Sequence, residues 1–280
     1  MDFTSADAEQ KYAALTAIAG QAVVALDFDG TLAPIVADPT RAHIHPDAGA
    51  VLIGLAPKVR AIAVVTGRPA RQVLDLGGLE KVADALAGAG TELLVFGQYG
   101  NERWTSSDRA IAGPRPPVGL ATLLRDLPRI LRAAGAPDAY VEDKGLAVAV
   151  HTRRLADPQA AFDRLLVPLR EAAEEHDLVI EPGKQVIEVR SGGMDKGLVV
   201  DRLVDTLAAK AILFAGDDLG DVEAFEALDA WDAEGLTTLK VCSASPGDAE
   251  QSALMPLADI VVDGPDGVLD LLRRLTADAA

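Results

Sequence analysis

Asp27 and Asp29 are separated by one phenylalanine and followed by Gly30 and Thr31, a pairing of carboxylates suited to phosphoryl transfer. One carboxylate, Asp27, can attack phosphorus in line and leave an acyl phosphate. The other, Asp29, can protonate the departing alkoxide and then activate water, with Thr31 orienting the loop. A second acidic run, Gly216-Asp217-Asp218-Leu219-Gly220-Asp221, offers Asp217 as a further metal ligand and Asp218 and Asp221 as direct or surrounding support. Carboxylate oxygens suit a hard divalent cation, and Mg2+ is the expected cofactor. Thr66, followed by Gly67, supplies a hydroxyl that can donate to a phosphoryl oxygen, and Lys196 can neutralise the same group. Each feature alone has a plainer explanation. An Asp-x-Asp-Gly-Thr run can be only a turn, acids gather at helix N-termini, and a lone lysine is usually solvated. Together they supply a nucleophile, an acid/base, a metal site and a phosphate clamp.

Such groups need rigid elements to hold them. Ala22-Val23-Val24-Ala25-Leu26 is a short apolar run that reads as a buried strand delivering Asp27 to its C-terminal tip. Ala61–Gly67, Leu93–Gly97, Ala211–Gly216, Thr238–Val241 and Ile260–Val262 read as further strands, with helices over Glu9–Ala19, around Val51–Leu55 and along the Leu269–Leu275 stripe. Strands alternating with helices predict a parallel sheet covered on both faces, and parallel sheets bind ligands at the C-terminal ends of their strands. Between Ser106 and Arg190 the rhythm changes. Gly113-Pro114-Arg115-Pro116-Pro117 marks a linker. An apolar stripe from Leu120 to Leu131 and another from Phe162 to Leu169, broken or bent near Pro168, each precede a hairpin, one around Asp143-Lys144-Gly145 and one around Pro182-Gly183-Lys184. Strand parity puts Leu146, Val148, Val150, Ile187 and Val189 toward the helices, and Ala147, Ala149, His151, Arg153, Lys184, Val186, Glu188 and Arg190 on the opposite, open face. A solvated sheet face is the plain reading; a lid presenting hydrogen-bonding groups to a polyhydroxylated substrate is the sharper one. The expected architecture is α/β: a Rossmann-like parallel-sheet core over 1–105 and 191–280, with an α+β cap over 106–190 and hinges near Trp104–Ser107 and Arg190–Gly193.

The chain has 280 residues, 49% of them hydrophobic, enough for two cores. Its net charge of −17 argues against nucleic acid or an anionic membrane as partner. The single Cys242 rules out an internal disulfide and fits a reducing cytoplasm. Neither a signal peptide nor a membrane-length apolar run stands out.

The four motifs, Asp27-Phe28-Asp29-Gly30-Thr31, then Thr66, then Lys196, then Gly216-Asp217-Asp218 with Asp221, occur in the order found in haloacid dehalogenase-like phosphatases, and the chain resembles that superfamily. The resemblance implies a Rossmann-like core, Mg2+ dependence and an aspartyl-phosphate intermediate, with Asp27 reaching the metal through a carboxylate oxygen and Asp29 through its backbone carbonyl. Thr66-Gly67-Arg68, Tyr99-Gly100 with Glu102, Val141-Glu142-Asp143-Lys144-Gly145, His151 with Arg153, Gly183-Lys184 and Ile187-Glu188-Val189 make the chain similar to the trehalose-6-phosphate phosphatase family. That similarity implies Arg68, Glu142, Lys144, His151, Lys184 and Glu188 as substrate contacts. The fourth motif departs from the family pattern, continuing Leu219-Gly220-Asp221-Val222-Glu223 where Thr-Asp-Glu is common.

The expected activity is Mg2+-dependent hydrolysis of trehalose 6-phosphate, with a small sugar phosphate as the only partner, no nucleic acid, no membrane, and a cytoplasmic monomer as the working form. A phosphatase or mutase for another sugar phosphate is the nearest alternative. A non-enzymatic phosphoacceptor regulator is the alternative of another class, although it needs neither an inserted lid nor an acid two residues after the phosphorylated one.

Overall fold

The structure, a computed structural model, describes residues 2–36, 38–183, 185–244 and 254–279. It divides into two compact units, Met1–Gly113 with Asp195–Ala280, and Pro114–Met194.

The larger unit is built on an eight-stranded sheet. Its strands are β1 (Asp2–Phe3), β2 (Ala22–Leu26), β3 (Ala61–Val65), β4 (Glu92–Gly97), β5 (Glu102–Thr105), and, numbering past four strands of the other unit, β10 (Ala211–Gly216), β11 (Thr237–Ala244) and β12 (Ile260–Asp263). The order across the sheet is β1-β12-β11-β10-β2-β3-β4-β5. Chain order runs outward from β2 through β3 and β4 on one side, and from β10 through β11 and β12 on the other. The order in which strands are added therefore reverses between β2 and β10, which pair in parallel from Ala22↔Ala211 to Leu26↔Ala215. In an open α/β sheet that switch point is where the strand tips leave a crevice, and both acidic motifs are delivered there. Every residue of β2, β3 and β10 is buried. This is why these strands read as continuous apolar runs rather than alternating ones.

Around the sheet lie α1 (Ala6–Ala17), α2 (Ala48–Leu55), α3 (Ala70–Gly77), α4 (Leu79–Leu86), and the helix Gly264–Asp278, whose Leu269, Leu271, Leu272 and Leu275 are buried in the core as their spacing predicts. The sheet is not all parallel: β1 pairs antiparallel with β12, and β5 antiparallel with β4. Trp104, expected near a hinge, is wholly buried in β5, and a bridge from Arg103 to Ala112 keeps the following loop against this unit. The first helix begins at Ala6 rather than Glu9, because the Ser5 side chain accepts from Ala8 N and caps it a turn earlier.

The smaller unit holds α5 (Val118–Ala133), β6 (Tyr140–Asp143), β7 (Ala147–His151), α6 (Pro158–Glu174), β8 (Leu178–Gly183) and β9 (Val186–Ser191). Its antiparallel sheet runs β6-β7-β9-β8. Val148, Val150, Ile187 and Val189 pack with Leu123, Leu127, Leu165 and Leu169 of the two helices, the face that strand parity assigns to them. α6 is not broken at Pro168 but continues through it. The flanking Leu165 and Leu169 are both fully buried, and that apolar anchoring offsets the one backbone hydrogen bond that proline removes.

Candidate active site

Asp27 leaves the tip of β2, its N–H donating to Ala215 O of the neighbouring strand at 2.8 Å. The chain then turns tightly: Leu32 N and Ala33 N both donate to Phe28 O, and Gly30 N donates to Ala33 O. Gly30 holds φ +72°, and a Cβ on it would lie 2.1 Å from Asp217 Oδ2. Gly216, at the tip of β10, is equally constrained, since a Cβ there would meet Asp221 Cγ at 2.2 Å. These two glycines let the acidic tips pack side by side. Ser243 Oγ, from β11, donates to Gly30 O at 2.7 Å and pins the turn. The Thr31 hydroxyl is buried and finds no hydrogen-bond partner among the described residues.

After β10, Asp218 caps a short 3-10 turn over Leu219–Asp221, its Oδ1 accepting from Gly220 N at 2.9 Å. The turn folds Asp221 back, so that its Oδ2 accepts from Asp217 N at 2.9 Å and from Asp218 N at 3.3 Å. The run Asp218-Leu219-Gly220-Asp221 thus forms a self-bracing turn. The helix α8 (Val222–Ala233) follows.

Lys196 is the first residue of α7 (Lys196–Leu207), which is capped by Asp195 accepting from Leu198 N. Its Nζ donates to Asp27 Oδ1 at 2.9 Å and to Asp221 Oδ1 at 2.6 Å. Asp27, Asp217 and Asp221 can each present an oxygen within 4.8 Å of the others, and all three are buried. Three buried carboxylates therefore share one ammonium. Burial pushes the Asp27 carboxyl well above the usual carboxylate range; Lys196 draws it down, while Asp221, Asp218 and Asp29 push it further up. Burial does the same to Asp217, reinforced by Asp218, Asp27 and Asp221. For Lys196, burial opposes the charge, but Asp221 and Asp27 outweigh it and hold the ammonium well above its ordinary range. Buried negative charge in excess of its counter-charge, presented through oxygen atoms alone, is the electrostatic setting of a hard divalent cation. Cys242, in register beside Gly216, is not a nucleophile here: burial, with Asp217 and Asp221 nearby, pushes its thiol up to about 12.

The structure distributes the expected residues unevenly. Asp27, Lys196, Asp217 and Asp221 come together. Asp221 stands inside the carboxylate group rather than behind it, and its i, i+4 spacing from Asp217 was the available signal. Asp218 serves the turn. Thr66, at the tip of β3 beside β2, is buried, and its Oγ1 accepts from Arg68 N at 3.1 Å, leaving its hydroxyl proton to donate. Asp29's side chain is outside the carboxylate group and pairs with Arg68. In the smaller unit, Glu142 and His151 are bonded at 2.9 Å, and Lys144 is bonded to Glu188. Glu142, Ala149, Glu188 and Glu181 are register partners in one row across its sheet. Lys184 lies outside the described residues.

Gly30→Ala is expected to lower stability by about 1–3 kcal/mol, from the left-handed φ and the displaced Asp217 carboxylate. Because Asp217 moves, apparent metal affinity should fall with it. Urea denaturation and metal titration of one preparation check both effects.

A family profile described as trehalose-phosphatase matches residues 130–261. That span includes Glu142, Lys144, Lys196, Asp217 and Asp221 and stops short of the first two motifs. The chain is 32% identical over 258 residues to "alpha,alpha-trehalose-phosphate synthase [UDP-forming] B" of Dictyostelium discoideum, covering 90% of this chain and 30% of that protein. It is 29% identical over 265 residues to the trehalose-phosphate phosphatase of Mycobacterium tuberculosis, covering 92% of this chain and 62% of that protein. It thus spans less than two thirds of either relative. The C-terminal domain of C. albicans trehalose-6-phosphate phosphatase has the same fold, with a TM-score of 0.76 at 20% identity over 99% of this chain and 98% of that one.

Proposed function

We propose that this chain belongs with the trehalose-phosphatases of the haloacid dehalogenase-like superfamily, to which its sequence and fold are similar, and that it is a Mg2+-dependent phosphatase converting trehalose 6-phosphate to trehalose and inorganic phosphate. The observation that carries this reading is Lys196 bridging Asp27 and Asp221 with Asp217 alongside, at the switch point of the sheet.

Asp27 attacks phosphorus through one carboxylate oxygen while Lys196 holds the other and neutralises charge on the phosphoryl group. Asp29, on the exposed side of the turn, gives a proton to the departing sugar oxygen and then takes one from the attacking water. Thr66 donates its hydroxyl proton to a phosphoryl oxygen. Asp27, Asp217 and Asp221 would hold the Mg2+ ion, with the Asp29 backbone carbonyl as a further ligand by family resemblance, and the ion would screen phosphoryl charge. In the smaller unit, Glu142, Lys144, His151 and Glu188 read the sugar hydroxyls. In support, Glu188 Oε1 is buried with no hydrogen-bond partner among the described residues, an acceptor suited to a hydroxyl donor. Among the described residues no helix is long and apolar enough to cross a membrane, and we assign the activity to a cytoplasmic monomer.

Phosphate release from trehalose 6-phosphate, glucose 6-phosphate, sucrose 6-phosphate and glucosylglycerol phosphate tests the substrate. Strong preference for the first is expected. Preference for another member would overturn the substrate and keep the chemistry, while isomerised phosphosugar without free phosphate would mean a mutase.

Metal dependence carries a pH signature. In the metal-free protein Asp27 and Asp217 have raised folded-state values, so protonation favours the folded state. Stability then declines as pH rises above the unfolded carboxylate value of about 4. A divalent cation removes this penalty and competes with protons for the same oxygens. Mg2+ is therefore expected to raise Tm more at pH 8 than at pH 5, and EDTA to abolish phosphate release until Mg2+ is restored. An equal Tm shift at both pH values would contradict the assigned site.

A further inference from the structure

Arg68 resembles a substrate contact by sequence, but its side chain is committed to the protein. Nε donates to Asp29 Oδ2 at 2.5 Å and Nη2 to Asp29 Oδ1 at 2.7 Å. Nη1 donates to Pro39 O at 2.8 Å, and the guanidinium lies 5.9 Å from the ring centroid of Phe28, the residue between the two aspartates. Only 11% of the Arg68 side chain is exposed, against 37% for Asp29.

The backbone beneath it is equally constrained. Arg68 N donates to Thr66 Oγ1, Arg68 O accepts from Gln98 N, and Thr66 O accepts from Tyr99 N. Gln98 and Tyr99 hold this segment from left-handed conformations, φ +48° and +58°, that non-glycine residues rarely adopt. Glu102 completes the bracket. Its Oε2 accepts from Ala70 N at 2.6 Å, at the start of α3, and its Oε1 accepts from Gln98 Nε2 at 3.1 Å. The Thr66–Ala70 segment is thus held from several sides, and Arg68 transmits that rigidity to an exposed carboxylate that would otherwise rotate. A two-point contact from a planar guanidinium fixes the orientation of a carboxylate, which the single ammonium of a lysine does not.

We propose that Arg68 is the positioning residue for Asp29 in the hydrolysis of the aspartyl phosphate, and that it is not a substrate contact. This rests on the roles proposed above for Asp27 and Asp29. In that step a water oxygen bonds to phosphorus and the phosphorus–oxygen bond to Asp27 breaks. The water proton passes to Asp29, inorganic phosphate leaves, and the Asp27 carboxylate is restored. Arg68 holds the Asp29 carboxylate at the angle where it meets that water.

The test uses the full chain with Mg2+, comparing wild type, Arg68→Lys, Arg68→Gln and, as reference, Asp29→Asn. Rapid mixing with p-nitrophenyl phosphate reports phosphorylation of Asp27 through first-turnover nitrophenolate, since this leaving group needs no proton. Acid-quenched protein then reports decay of the phosphoenzyme. Both Arg68 variants are expected to release nitrophenolate within about 3-fold of the wild-type rate, and to lose their phosphoenzyme about 10- to 100-fold more slowly. KM for the sugar phosphate should change by less than about 3-fold. Thermal melts identify a variant that fails to fold, and Arg68→Lys, which keeps the charge and stem, preserves the test if Arg68→Gln does so. Full decay rate in Arg68→Lys would mean that charge alone suffices, and a 10-fold rise in KM with unchanged decay would make Arg68 a substrate contact; either result overturns the proposal. Absence of any phosphoenzyme, even in Asp29→Asn, would instead overturn the two-step reading of Asp27 and Asp29, and this proposal with it.

Discussion

Asp27→Asn is expected to lose at least about 10³- to 10⁴-fold in phosphate release while remaining as stable as the unaltered chain, or becoming more stable, in the absence of metal. The rate loss follows from chemistry, because an amide oxygen is too weak a nucleophile to replace the carboxylate. The stability result follows from sign. Burial raises the Asp27 carboxyl despite the pull of Lys196, so ionising this position costs the folded protein more than the unfolded chain. An asparagine supplies a neutral group of the same shape and relieves repulsion from Asp221 and Asp217. Thermal melts of the metal-free proteins beside phosphate assays separate the two effects. A variant that is inactive because it is unfolded, or one that keeps substantial turnover, would contradict the assignment.

Lys196→Ala is expected to be damaging in both respects. The ammonium is 4% exposed and is bonded to two buried carboxylates. Removing one partner of a buried charged group leaves the others uncompensated, at about 3–5 kcal/mol. The loss depends on pH with a fixed sign. Without Lys196 the folded-state value of Asp27 rises further, so the destabilisation is absent below the unfolded carboxylate value of about 4 and grows as pH rises. The native contribution of Lys196 itself is constant through neutral pH, because its raised value keeps it charged until well into the alkaline range. Activity should fall about 10²- to 10³-fold through lost charge stabilisation on the phosphoryl group. Urea denaturation of metal-free protein at pH 4.5 and pH 8, with turnover at a pH where both proteins are folded, measures each term. Equal destabilisation at the two pH values would show that Lys196 contributes packing rather than charge.

What could be read from the sequence is what local physics determines. The apolar runs Ala22–Leu26 and Ala211–Gly216 announce buried parallel strands because neither face meets water, and each hands its acids to a strand tip. The alternation of Ala147–His151 and Val186–Arg190 separates a face packed on the helices from a more polar one, but that second face is not open as expected, since Ala147, Ala149, Glu188 and Arg190 on it are buried too. The edge strands escaped notice because Asp2–Phe3 and Glu102–Thr105 are too short to show a period. Pro168 marks a helix breaker only until Leu165 and Leu169 are seen to anchor both sides of it.

Within the site, the residue types were visible and several pairings were not. Arg68 and Asp29 are 39 residues apart, and Ser243 and Gly30 are 213 apart. No spacing rule connects them, since they meet only through the order of strands across the sheet. Asp221 looks like an accessory acid in the sequence. Folding the 3-10 turn makes it the second anchor of Lys196.

The most direct measurement of the central claim is acid-quench trapping during turnover of trehalose 6-phosphate labelled at phosphorus, followed by peptide mapping. The account predicts label, in the presence of Mg2+, on the peptide containing Asp27, absent in Asp27→Asn and chased into inorganic phosphate with equimolar trehalose. Trehalose and phosphate formed at full rate by Asp27→Asn, or label recovered on a different residue, would contradict it.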